Sequence, residues 1–117
     1  MNKNIDAWRL KTFADAERAA IEESSRTGQV HLAADRGANV WPRYDVVAVP
    51  ALGDDVSESF NGDSYPVGKV EQIGKNYKMI KAGGRWFYRV RLTGAWRAAH
   101  SPFCLIQGTH HEWNREF

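Results

Sequence analysis

Residues 85–92 read RWFYRVRL, directly after the pair Gly83-Gly84, and the reading of this stretch decides the fold. Side chains alternate along a strand with a period of two, so a strand here sends Trp86, Tyr88, Val90 and Leu92 one way and Arg85, Phe87, Arg89 and Arg91 the other. The first set reads as core and the second as a basic, aromatic surface. A two-residue Gly83-Gly84 turn also sets the hairpin register: Ala82 opposite Arg85, Lys81 opposite Trp86, Ile80 opposite Phe87, Met79 opposite Tyr88, Lys78 opposite Arg89. Tyr77 and Met79 then join the inner side, where Lys81 reaches over the indole of Trp86. Lys78, Ile80, Phe87, Arg89 and Arg91 make the outer side.

Outward from the hairpin, strand signals fall at 67–73, 77–82, 85–92 and 103–107, with turns at Gly74-Lys75-Asn76 and Gly83-Gly84, where glycine and asparagine accept positive φ. The β-branched run 44–49, ended by Pro50, suits a first strand. Between them, 53–66 collects Asp54, Asp55, Glu58, Asn61, Gly62 and Asp63 and reads as a long acidic loop. Residues 93–102 form a longer connection carrying Trp96, Arg97 and His100, and 109–117 a polar tail anchored by Trp113 and Phe117.

At the N-terminus, Asn4 is placed to cap a helix of about five or six turns. No Gly or Pro interrupts residues 5–26, and Gly28 stands where the helix would stop. Leu10, Phe13, Ala14, Glu17, Ala20 and Ile21, with Trp8 near the start, give the apolar stripe, and Lys11, Asp15, Arg18, Glu22 and Glu23 the polar face. In 29–43, Val30, Leu32 and Ala34 alternate but Asp35, Gly37 and Asn39 punctuate, and the segment is expected to be irregular. The expected class is α+β, mainly β: a helical arm over 1–28, an irregular connection over 29–43, and a small five-stranded antiparallel barrel over 44–117, forming one compact unit. An open sheet covered by the helix is the competing arrangement.

With 117 residues the chain matches one ordinary domain. Cys104 is the single cysteine, which excludes an intramolecular disulfide and fits a reducing compartment. Neither a leader segment nor an apolar run of membrane-spanning length stands out, so a soluble, cytoplasmic protein without a membrane partner is expected. The net charge of +2 hides an asymmetry: residues 1–59 hold seven Lys/Arg against ten Asp/Glu, and residues 60–117 hold nine against four. The cationic half is the expected sheet.

Like charges opposed across a sheet are unfavourable, so Lys78 facing Arg89 asks for an anion. Phosphates would supply one, with Phe87 stacking on a base and Arg89 or Arg91 pairing with phosphate oxygens; an acidic protein patch would serve equally. The structural alternative buries Ile80 and Phe87 under the helix while the arginines reach Asp15, Glu22 or Glu23. Trp96 beside Arg97 in a glycine-containing connection is a second contact candidate, whose alternative is a Trp96 that plugs one end of the barrel. The candidate binding set is therefore Lys78, Ile80, Arg85, Phe87, Arg89, Arg91, Trp96 and Arg97.

Catalysis finds little support. Cys104 with His100, His110 or His111 as base is conceivable, but Phe103-Cys104-Leu105-Ile106 reads as an apolar strand with a buried thiol. Spacings for zinc and calcium are absent, no glycine loop precedes a helix to cradle phosphate, and no catalytic residue, metal or cofactor is expected.

Val67-Gly68-Lys69-Val70-Glu71-Gln72-Ile73, followed by a turn and two further strands, resembles the start of SH3-like barrels of the Tudor and KOW kind, which bind RNA, DNA or protein tails. The stretches 61–70 (NGDSYPVGKV), 84–89 (GRWFYR) and 93–97 (TGAWR), with the ending Gln107-Gly108, resemble small accessory proteins of tailed bacteriophages. That resemblance implies synthesis in the bacterial cytoplasm and a protein that binds and inhibits or redirects a host protein or nucleoprotein complex, including host defence systems. The expected function is thus non-enzymatic binding through the basic-aromatic face. Direct RNA or DNA binding is the alternative, a Cys/His enzyme the weaker one, and an exchanged dimer is compatible with a helical arm.

Overall fold

The computed structural model describes residues 9–91 and 93–108. The chain divides into two compact units, Met1–Val49 with Val90–Gly94, and Pro50–Arg89 with Ala95–Phe117.

The first unit is a helix and a hairpin. Helix α1 (Phe13–Thr27) starts at a capping box: Thr12 Oγ1 accepts the Asp15 N–H at 3.1 Å, and the Asp15 carboxylate accepts the Thr12 N–H at 3.1 Å. It ends at Gly28, whose left-handed φ of 76° lets its N–H reach the Ser24 carbonyl at 2.9 Å. The helix therefore begins later than expected; Asn4 and Trp8 lie outside the described residues. Its buried face is Ala16, Ala20 and Glu23, and it packs on strands β1 (His31–Asp35) and β2 (Tyr44–Ala48). Phe13 and Ile21, assigned to the buried stripe, are exposed, Ile21 at 68%. Alanines let the helix lie close to a two-stranded sheet, and the Ser24 hydroxyl fastens it by accepting the His31 N–H at 2.8 Å.

β1 and β2 pair antiparallel from His31 opposite Ala48 to Asp35 opposite Tyr44. Residues 29–43 thus contain a strand, and 44–48 pairs with it instead of entering the barrel. Charged side chains of the segment read as irregular, together with Asp45 of the expected strand, close the hairpin. Arg43 Nε and Nη2 donate to the Asp35 carboxylate at 2.9 and 3.3 Å, and Arg36 Nη2 meets Asp45 Oδ2 at 2.5 Å. Gly94, at φ 71°, completes this unit where a Cβ would stand 2.7 Å from Ala34 Cβ and 2.9 Å from Val47 Cγ2.

The second unit is a closed antiparallel barrel of six strands: β3 (Asp55–Phe60), β4 (Asp63–Ile73), β5 (Met79–Ala82), β6 (Arg85–Arg89), β7 (Trp96–Arg97) and β8 (Cys104–Gln107), with β8 returning to β3. Five strands were expected. The extra ones lie in segments read as loops: β3 in the acidic 53–66 stretch, where Asn61-Gly62 turns into β4 at φ 52° and 87°, and β7 in the 93–102 connection. β4 changes partner along its length, from β3 to β5, with register breaks at 56/57 and 70/72. Val56, Val70, Ile80, Ala82, Phe87, Trp96 and Leu105 form the buried apolar core. Gly83 is confined to glycine, because a Cβ there would lie 2.0 Å from the Val67 carbonyl oxygen.

Candidate functional site

The β5–β6 hairpin has the register expected: Met79 opposite Tyr88, Ile80 opposite Phe87, Lys81 opposite Trp86 and Ala82 opposite Arg85, and the Arg89 N–H reaches the Lys78 carbonyl at 2.9 Å. Its faces are reversed. Phe87 and Ile80 are 0% exposed, whereas Trp86 and Tyr88 are 36% and 45% exposed. The cross-strand pair that is apolar on both sides, Ile80 with Phe87, goes inward, and each fully buried side chain contributes about 1.5–3 kcal/mol of transfer free energy. Trp and Tyr carry an N–H and an O–H that water satisfies on the outside.

The candidate binding set is scattered by this reversal. Ile80 and Phe87 belong to the barrel core and cannot be contact residues. Trp96 is also buried, 1% exposed, and its Nε1–H donates to the Tyr77 carbonyl at 2.8 Å. Arg89 shares the inward phase of Phe87, stands half-buried with its guanidinium 5.8 Å from the Trp96 ring centroid, and has its pKa lowered by burial. Arg85 is matched by Glu58, Nη1 to Oε1 at 2.5 Å and Nη2 to Oε2 at 3.3 Å, and lies 5.1 Å over Phe87. Arg91 is exposed in the first unit, where its charge helps to hold the Asp35 carboxyl low. Lys78 is exposed and Arg97 half-buried; of the set, only these two keep a cation with no carboxylate partner on the barrel surface among the described residues.

The outward phase holds Met79, Trp86 and Tyr88, which the alternation placed inside. In register across the sheet, Gln72 of β4, Lys81 of β5 and Trp86 of β6 form one row, and Met79 of β5, Tyr88 of β6 and Arg97 of β7 form the next. Lys81 Nζ stands 5.9 Å from the Trp86 ring centroid, an interaction expected from the register but found on the opposite face. The missed signal was chemical: Phe87 is the ring in this run without a polar atom, and it faces Ile80.

A second aromatic group, exposed Phe60 and Tyr65 around half-buried Phe103, is engaged with itself. Phe103 meets Phe60 and Tyr65 edge-on at centroid distances of 5.7 and 5.5 Å. Cys104, expected to be buried, is half-buried opposite Arg97 and Ser59; His100 is exposed, and His110, His111, Trp113, Phe117 and Leu92 lie outside the described residues. Among the described residues, no group of three or more His, Cys, Asp or Glu is placed to hold a metal, and no helix is long and apolar enough to cross a membrane.

Two exposed rings, each with a cation one strand away, can stack on flat groups and pair with anions together. Comparison with protein-family models, curated proteins and solved structures finds no match to this chain.

Proposed function

We propose that the chain is a non-enzymatic binding protein of the tailed-phage accessory kind, built on an SH3-like barrel, that occupies a host protein or nucleoprotein complex in the bacterial cytoplasm and inhibits or redirects it. The observation that carries this reading is the outer face of β5, β6 and β7, where Trp86 and Tyr88 are exposed beside Lys81 and Arg97, neither of which has a carboxylate partner among the described residues. Exposed aromatic side chains flanked by unmatched cations are a composition of contact surfaces. The phage-like stretches 61–70, 84–89 and 93–97 support a host partner.

Affinity capture from a bacterial lysate tests the reading, with the wild-type protein and the double variant Trp86→Leu/Tyr88→Leu compared at low and high salt. The wild-type protein retains a defined partner, identified by mass spectrometry, and the folded double variant releases it. Equal capture by a double variant with an unchanged circular dichroism spectrum would move the contact surface elsewhere. Cys104→Ser, which removes the thiol without adding bulk beside its cross-strand neighbour Arg97, leaves capture intact on this reading, and loss of capture would revive the thiol alternative.

A further inference from the structure

Resting on the binding role proposed above, we infer that the outer face of β5, β6 and β7 takes a single strand of nucleic acid, with bases stacked on Trp86 and Tyr88 and phosphates paired with Lys81 and Arg97. Trp86 and Tyr88 are two residues apart on the same side of one strand, a separation of about 6.7 Å along β6. The rise between stacked duplex bases is about 3.4 Å, so the two rings suit bases that have come apart, one base to each ring. Duplex bases offer no free ring faces, which makes the ligand a single strand.

The cations are set for the phosphates of the same strand. Lys81 is directly opposite Trp86, and Arg97 directly opposite Tyr88, each about 4.8 Å away across the sheet. They flank the rings from the two sides, Lys81 from β5 and Arg97 from β7. A protein patch can also engage Lys81, Arg97 and the rings, but the two-residue ring spacing with a cation opposite each ring matches the repeat of base and phosphate along a single strand, which uses all four. Stacking addresses ring faces and the cations address phosphates, features common to DNA and RNA, so recognition is tolerant of sequence and of sugar.

Fluorescence anisotropy with labelled oligo(dT) and oligo(U) of about 15 nucleotides tests the inference. At about 50 mM salt the wild-type protein binds both strands within tenfold of each other, in roughly the 1–100 µM range, and a duplex of the same length at least tenfold more weakly. Trp86→Leu and Tyr88→Leu each weaken binding roughly tenfold. Lys81→Gln/Arg97→Gln makes the slope of log affinity against log salt shallower by about 1.4, as expected for two lost phosphate contacts on a single strand. Lys69→Gln, at a cation already paired with Asp55, changes the slope much less.

No binding at low salt, equal binding of duplex, or ring variants that fold and bind like wild type would each overturn the inference. The capture experiment separates its failure from failure of the binding role. If oligonucleotides do not bind but Trp86→Leu/Tyr88→Leu still releases the captured partner, the face is a protein contact and the nucleic-acid assignment alone falls. If capture is also unchanged, this face is not the contact surface, and its assignment falls with the inference.

Discussion

The helix-hairpin unit and the barrel use their charges differently. In the first, Arg18 meets Asp15, Arg26 meets Glu23, Arg36 meets Asp45 and Arg43 meets Asp35. In the barrel, Arg85 meets Glu58 and Lys69 meets Asp55, but Lys78, Lys81 and Arg97 have no carboxylate partner among the described residues. Arginines matched within a unit fix its own shape, here the hairpin closed by Asp35, Arg36, Arg43 and Asp45. Unmatched cations beside exposed rings remain available to a partner. That difference is what the proposed binding role of the barrel rests on, and the contrast can be broken at several points.

The largest effect is expected in the barrel core. Phe87→Ala should lower the stability to urea by about 3–5 kcal/mol, because the ring is fully buried opposite Ile80. Trp86→Ala, one residue away, should cost less than about 1 kcal/mol and affect binding instead. Equal losses would erase the distinction between the two faces of β6.

In the other unit the sensitive point is polar. Asp45→Ala leaves the guanidinium of Arg36 without its carboxylate in a largely buried setting, the two side chains being 16% and 8% exposed, and should cost about 3 kcal/mol. Chemical denaturation measures it; a loss below about 1 kcal/mol would mean that the hairpin is closed by its backbone alone. Thr12→Ala should cost about 1 kcal/mol through loss of the helix cap, read as reduced helical circular dichroism and a lower unfolding midpoint.

Acid gives the smallest and most local test. Hydrogen bonding from Arg43 holds the Asp35 carboxyl below its ordinary value of 3.8, with help from the Gly37 N–H. A carboxylate whose pKa is depressed by folding stabilises the fold above its unfolded pKa, and that contribution is lost as pH falls through the lower folded value. Stability should therefore decline as pH drops below about 4, and Asp35→Asn should flatten that part of the profile. An unchanged acid limb in Asp35→Asn would detach the hairpin from its ion pair.

Local rules carried the sequence as far as register and no further. The Gly83-Gly84 turn allows one pairing, and the β5–β6 hairpin follows it residue for residue. Which face turns inward depends on the rest of the barrel, and three arginines in phase with Phe87 made the inward side look wet. Arg85 resolves this by reaching Glu58, and Arg89 by lying over Trp96. β3 was obscured because Asp55, Ser57, Glu58 and Ser59 look like a loop, although Asn61-Gly62 marks a hairpin turn and Glu58 is buried for its partner Arg85. β1 was obscured in the same way by Asp35, whose carboxylate takes Arg43 and the Gly37 N–H. Ion pairs made between distant residues are invisible to periodicity. Trp96 carries both a contact reading and a buried one in the sequence, and at 1% exposure it lies in the core.

The polarity of β6 is tested most directly by fluorine NMR of the protein labelled with 5-fluorotryptophan, with resonances assigned through Trp86→Phe and Trp96→Phe. Trp86 should show a large solvent isotope shift between H₂O and D₂O, and Trp96 almost none. The reverse pattern, with Trp96 responding to solvent and Trp86 silent, would contradict the outward placement of Trp86 and Tyr88 and the binding face built on it.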